Sequence, residues 1–172
     1  MIYRGHSSSR SRPYHDDLDQ ALQQENLKLG VDCHSMAAVS PPIESDAGTP
    51  RPLICLGNLG DAEGLVCKPF RRITSPPELV LFMRDEFRKV FAHEDVDLEV
   101  PDIATANLPF SGGYITQRVG GGPMPFVQIE MSRALYLSPR FFDEATLVVQ
   151  AGRIQDLNHK VFQVLKRTVE NL

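Results

Sequence analysis

A mixed α/β layer structure, with a mainly parallel sheet flanked by helices, is the fold class this sequence predicts, and three observations predict it. Short apolar or alternating runs at residues 29–34, 53–58, 102–107 and 125–131 have the length and punctuation of strands. Between and around them lie stretches with helical spacing of apolar residues, so strand and helix signals alternate along the chain. Apolar residues make up 42% and charged residues 23% of 172 positions, the balance of one globular domain with a core.

Residues 1–12 are polar and aperiodic and are expected to form an extended lead-in to a single domain at 13–172. Asp16 or Asp17 can then cap a helix whose Leu18, Ala21, Leu22 and Leu29 share a side, with Gly30 as its limit. In the following run, Val31 and Cys33 point one way and Asp32 and His34 the other if it is a strand. Four prolines and a glycine mark residues 40–52 as a surface loop. Residues 53–58 read as a buried strand running into a glycine turn.

Ser75-Pro76-Pro77-Glu78 carries the clearest helix start, with serine as cap, proline in the first turn and glutamate completing a capping box. Leu79, Phe82, Met83, Phe87, Val90 and Phe91 follow as an apolar stripe. The runs at 102–107 and 125–131 are separated by a glycine-rich stretch, residues 111–123, in which Gly112 and Gly113 suit a tight hairpin turn. A last helix starts near Phe141 or Asp156 and runs to the end, with Leu157, Val161 and Val164 on one side.

Charge and cysteine content narrow the functions. A formal net charge of −4 supplies no field that would gather nucleic acid, and the basic Arg4, Arg10 and Arg12 read as a short solvated arm. No run reaches the roughly 18 apolar residues of a membrane helix, and the amino end lacks the apolar run of a signal peptide, so a cytoplasmic chain with no membrane partner is expected. Cys33, Cys55 and Cys67 form no Cys-x-x-Cys pair and read as reduced thiols.

Three constellations could carry chemistry. His34 closes a strand, where open α/β sheets bind ligands, and is either a ligand-binding histidine or one hydrogen-bonded structurally. On the strand at 125–131, Gln128, Glu130 and Ser132 share a face opposite Val127, Ile129 and Met131. A carboxylate there is costly unless paired or facing a cavity, so Glu130 with Arg133 reads either as a general base beside a carboxylate-binding cation or as an ion pair. Asn107, followed by Gly112 and Gly113, ends another strand and is expected at the same sheet edge as Glu130. The two glycines serve a close ligand approach or simply a turn.

In order along the chain, Pro13-Tyr14-His15, then Asp32-Cys33-His34-Ser35-Met36, then Asn107-x-Pro109-Phe110-x-Gly112-Gly113-Tyr114-Ile115, then Gln128-Ile129-Glu130-Met131-x-Arg133-Ala134-Leu135-Tyr136 resemble the N-formylglutamate amidohydrolases over about residues 13–140. The resemblance implies the fold of the carboxypeptidase-like zinc hydrolases. It implies hydrolysis of N-formyl-L-glutamate to formate and L-glutamate, a step of histidine degradation, or of another small N-acyl amino acid. By the same resemblance His34 binds a divalent metal, zinc first, and Glu130 is the base that activates metal-bound water. Arg133, Asn107, Gln128, Gly112 and Gly113 fall to the substrate, while His15 either packs at its helix start or stands at the rim.

Family members carry an upstream histidine motif, with an acidic partner, and an Asp-Leu-Asn-Arg motif, neither of which is in this chain. The expectation is therefore either a fragment of a longer enzyme or a non-catalytic relative that binds an acidic small molecule or a partner. The sheet is expected to be incomplete on its N-terminal side, leaving an edge open to self-association.

Overall fold

The structure is a computed structural model that describes residues 12–69 and 72–172, so most of the expected lead-in lies outside the described residues. Four strands, β1 (Gly30–Met36), β2 (Ile54–Gly57), β3 (Ala104–Ala106) and β4 (Phe126–Ser132), form one sheet in the order β1-β4-β2-β3. β1 and β4 run parallel, as do β2 and β3, but β2 runs antiparallel to β4. Helices α1 (Arg12–Ala21), α2 (Pro77–Val90), α3 (Tyr114–Val119) and α4 (Ala151–Glu170) flank it, and a small hairpin of β5 (Phe142–Asp143) and β6 (Val148–Val149) precedes α4. The predicted class of mixed, mainly parallel sheet with flanking helices is the one observed.

One face of the sheet carries the core. Ile54, Leu56, Val127 and Ile129 from the strands, with Leu53 just before β2, meet Val80, Met83, Phe87 and Phe91 from α2 and its end, with Leu157 and Val164 from α4 behind. Phe87 and Phe91 stack one turn apart at 5.7 Å between ring centroids, which is the spacing the apolar stripe predicts. Charges lock the two long helices at their rim, where Glu86 of α2, buried, accepts from Arg167 of α4 at 2.8 Å and from Lys89 at 2.6 Å. No described helix is long and apolar enough to cross a membrane.

Several elements differ from the sequence reading for local reasons. α1 stops at Ala21, and the chain turns through Asn26 at a φ of 70°, a left-handed conformation that asparagine tolerates, before β1 begins. The glycine-rich stretch holds a helix, α3, where a hairpin was expected. The last helix begins at Ala151, between the two starts proposed for it.

The capping box at α2 is not formed. Pro76, not Ser75, is the capping residue, and no side chain caps the helix. Ser75 stands one residue too early, its Oγ is buried without a partner, and its carbonyl accepts instead from Asn58 Nδ2 at 3.0 Å. A true serine cap loses about 1 kcal/mol when replaced by alanine. Ser75→Ala, which here removes an unsatisfied hydroxyl, is expected to leave stability unchanged or raise it in a denaturant titration, and a loss of about 1 kcal/mol would restore the cap.

Candidate active site

The sheet face opposite the core is polar, and strand register decides what meets there. Asp32 pairs with Gln128 and His34 with Glu130 as direct neighbours on the parallel strands β1 and β4. Because side chains alternate in both strands, all four project to one face. On the other side of β4, Cys55 pairs with Glu130 and Gly57 with Gln128, which continues the same row onto β2.

These side chains form a connected row of hydrogen bonds. His34 Nε2 lies 2.8 Å from Asp32 Oδ1, and the second oxygen of Asp32 accepts from Thr116 Oγ1 at 3.0 Å. Thr116 is also 3.4 Å from Gln128 Oε1, an oxygen that accepts from the backbone N–H of Gly113. Gln128 Nε2 then donates to Glu130 Oε1 at 2.9 Å. Gln128 thus has its oxygen taken by a backbone donor, which fixes its amide orientation and aims its NH2 at Glu130.

The row depends on how residues 108–119 lie over the sheet. A Cβ on Gly57 would come within 2.7 Å of the Ser111 backbone, so this strand position needs glycine to let the chain cross. Gly112, at a φ of 142°, turns the chain beneath Leu59, and Gly113 delivers the N–H to Gln128. α3 then carries Thr116 inward, and α1 braces it from outside through Asp19 and Arg118 at 2.6 Å. His15 of α1 meets Tyr114 edge-on at 5.8 Å, with its Nδ1 buried and without a hydrogen-bond partner among the described residues.

Burial sets the protonation of Glu130 and of Cys55 beside it. Glu130 is only 8% exposed, and desolvation pushes its carboxyl above the ordinary glutamate range. His34 and Arg51 pull it back down, Asp32 raises it further, and the Gln128 amide favours the ionised form. Cys55 shares this face, but burial pushes its thiol up to about 11, with Sγ held 3.1 Å from the Phe110 carbonyl. A thiol so hard to ionise is no nucleophile at neutral pH.

The structure distributes the residues singled out by sequence as follows. His34, Gln128 and Glu130 come together, with Gly112 and Gly113 beside them. Asn107 does not join them, because β3 runs with β2 and against β4, so its end opens at the opposite edge of the sheet from the ends of β1 and β4. Its Nδ2 donates to Asn58 Oδ1 at 2.8 Å and to the Asp61 carbonyl at 2.6 Å, and its Oδ1 accepts from the Asn58 N–H. Those bonds tie two turns together.

Arg133 sits in the turn after β4, exposed, and among the described residues makes no ion pair with Glu130. It lines a shallow surface depression with Ala38, Leu98 and Leu137. A depression of about 490 Å³ lies by Pro139, Phe142 and Val148, and none of the row's residues lines it.

Sequence reasoning passed over Asp32, Thr116 and Arg51 as functional residues. The alternation in β1 already placed Asp32 on the side of His34, which was the available signal. Thr116 lay inside the supposed hairpin and Arg51 in the proline-rich loop, and neither carried one.

A catalytic zinc takes three protein ligands. Among the described residues no three His, Cys, Asp or Glu side chains form a group that could hold a metal, and His34 Nε2 is already engaged by Asp32. These residues do not by themselves fit a complete metal centre.

A model of the family described as N-formylglutamate amidohydrolase matches residues 11–137, most of the chain. No curated protein and no solved structure matches it.

Raised protonation of Glu130 has a consequence for folding. Its carboxyl is harder to ionise in the folded chain than in the unfolded one, so above its folded pKa ionisation opposes folding. Glu130→Gln keeps an acceptor for Gln128 and is expected to be more stable than the parent at about pH 7, with the advantage fading on acidification and absent below about pH 4, where both states are protonated. Denaturant unfolding of both chains across that range checks it, and a glutamine variant less stable at neutral pH would contradict it.

Proposed function

The chain belongs to the N-formylglutamate amidohydrolase family, and on that premise we propose that it hydrolyses the amide of a small N-acyl amino acid, N-formyl-L-glutamate first, at the polar edge of β1 and β4. The observation that carries this reading is the register of His34 against Glu130, beside a carboxyl whose affinity for protons is raised by burial.

Glu130 is the general base in this proposal. It takes a proton from water as the water oxygen attacks the formyl carbon, and it then gives that proton to the departing amine nitrogen as the C–N bond breaks, leaving formate and L-glutamate. A raised pKa suits both halves, because it makes the carboxylate a stronger base in the first and keeps the captured proton on the carboxyl, instead of losing it to solvent, until the second. Gln128 holds the carboxylate in place through its amide. Asp32, itself fixed by Thr116, orients the His34 imidazole at the mouth of the site, where the ring is half-exposed and can meet the substrate.

Zinc dependence, and with it a metal-binding role for His34, rests on the family resemblance. The assay is formate release from N-formyl-L-glutamate by the purified full chain, with zinc or cobalt supplied. Turnover is expected, and Glu130→Gln is expected to lower it about 10²- to 10⁴-fold, as loss of a general base does. A folded, metal-supplied chain that releases no formate would reject the activity.

A further inference from the structure

Two arginines are buried among the described residues, and they differ in one respect. Arg153, at the start of α4, is 9% exposed and fully accompanied, by Glu94 at 2.5 Å, Asp156 at 3.0 Å and the Leu135 carbonyl at 2.6 Å. Arg51 is 8% exposed, and among the described residues no carboxylate lies within ion-pair distance of it. Among the described residues its side chain makes one hydrogen bond, from Nη2 to Ser40 Oγ at 3.2 Å, while its Nε is buried without a partner. The Ser40 hydroxyl in turn donates a hydrogen bond to Asp46 Oδ1 at 2.6 Å, so the nearest acid on this side is one hydroxyl removed. A guanidinium withdrawn from water without an anion is costly, and the fold does not supply that anion.

Its position says where the anion comes from. Because β2 runs against β4, the start of β2 stands at the sheet edge where β1 and β4 end. Arg51, three residues before β2, is pinned there by its N–H to the Ala38 carbonyl at 2.9 Å and by the bridge between Val39 and Pro50. Its guanidinium lies over the Phe110 ring at 4.9 Å. The Phe110 carbonyl in turn accepts from Cys55, the direct neighbour of Glu130 in the sheet. Arg51 therefore overlooks the end of the row at which Glu130 stands. Its charge reaches Glu130 and favours the ionised carboxylate, although the two form no ion pair.

We propose that Arg51 is the cation that binds a carboxylate of the N-acyl amino acid, so that the site selects acidic or carboxylate-bearing substrates through this residue. The inference rests on the hydrolytic reading of the same edge and names its substrate-binding charge. A planar guanidinium with unused N–H donors matches a carboxylate in shape and charge, which an ammonium in its place would do less well. The Phe110 ring and the Ser40 hydroxyl hold the fork in one orientation, so little freedom is lost when the anion arrives.

The test separates binding from turnover. Titrating the 15N-labelled full chain with glutarate is expected to move the Arg51 Nε–H resonance saturably, with that resonance assigned by its absence from Arg51→Lys. Neutral glutaramide is expected to leave it unmoved. In Arg51→Gln, glutarate affinity is expected to fall about tenfold or more, and KM for N-formyl-L-glutamate to rise with it. An Nε–H unmoved at saturating glutarate, or equal glutarate affinity in a folded Arg51→Gln chain, overturns the assignment, and the first of these needs no variant to fold. Glutarate binding at Arg51 without formate release leaves this site standing and removes the hydrolytic reading. Turnover with an unchanged KM in Arg51→Gln does the reverse.

Discussion

The parallel pairing of β1 with β4, in the register that sets His34 against Glu130, is the constraint on which the rest of the structure depends. With a period of two, that one register sends Val31, Val127 and Ile129 to the core and Asp32, His34, Gln128 and Glu130 to the opposite face. A slip of one residue would bury the carboxylates against α2 and α4 and expose the apolar set. Burial of Phe87, Met83 and their strand partners therefore stabilises the fold and fixes the polar row at the same time.

Such a row is expensive to keep out of water, and each member is compensated differently. Asp32 has two partners, Gln128 uses both ends of its amide, and Cys55 keeps its proton. Glu130 accepts only from Gln128 within the row and is left with a raised proton affinity. Arg51 is left with an unpartnered Nε. Incompletely satisfied groups at a sheet edge beside a half-exposed histidine support the proposal of a polar-substrate site there. The edge strand β1, with Cys33, His34 and Ser35 exposed, is also where the expected pairing with another chain would occur, and that remains a proposal.

Much of this was legible in the sequence where the information is local. Alternation within β1 and β4 separated the polar from the apolar side chains, and the stripe from Leu79 to Phe91 located α2. What local patterns do not encode is which strands become neighbours and in which direction they run. The antiparallel step between β2 and β4 sent Asn107 to the far edge and brought Arg51 to the near one. α3 was hidden because six residues rich in β-favouring types between glycines look like a hairpin, and tertiary contacts through Thr116 override that preference. Ser75 had the composition of a cap, but the helix begins after Pro76, and one residue of offset removes the bond.

The central proposal is that the desolvated Glu130 acts as a base, with its raised proton affinity moderated by its neighbour His34. Following the Glu130 carboxyl carbon by 13C NMR across a pH titration tests it most directly. The account predicts a midpoint above the ordinary glutamate value of about 4.3, and a further rise in His34→Ala, because the imidazole opposes the effect of burial. A midpoint in the ordinary range, indifferent to the loss of His34, would contradict it.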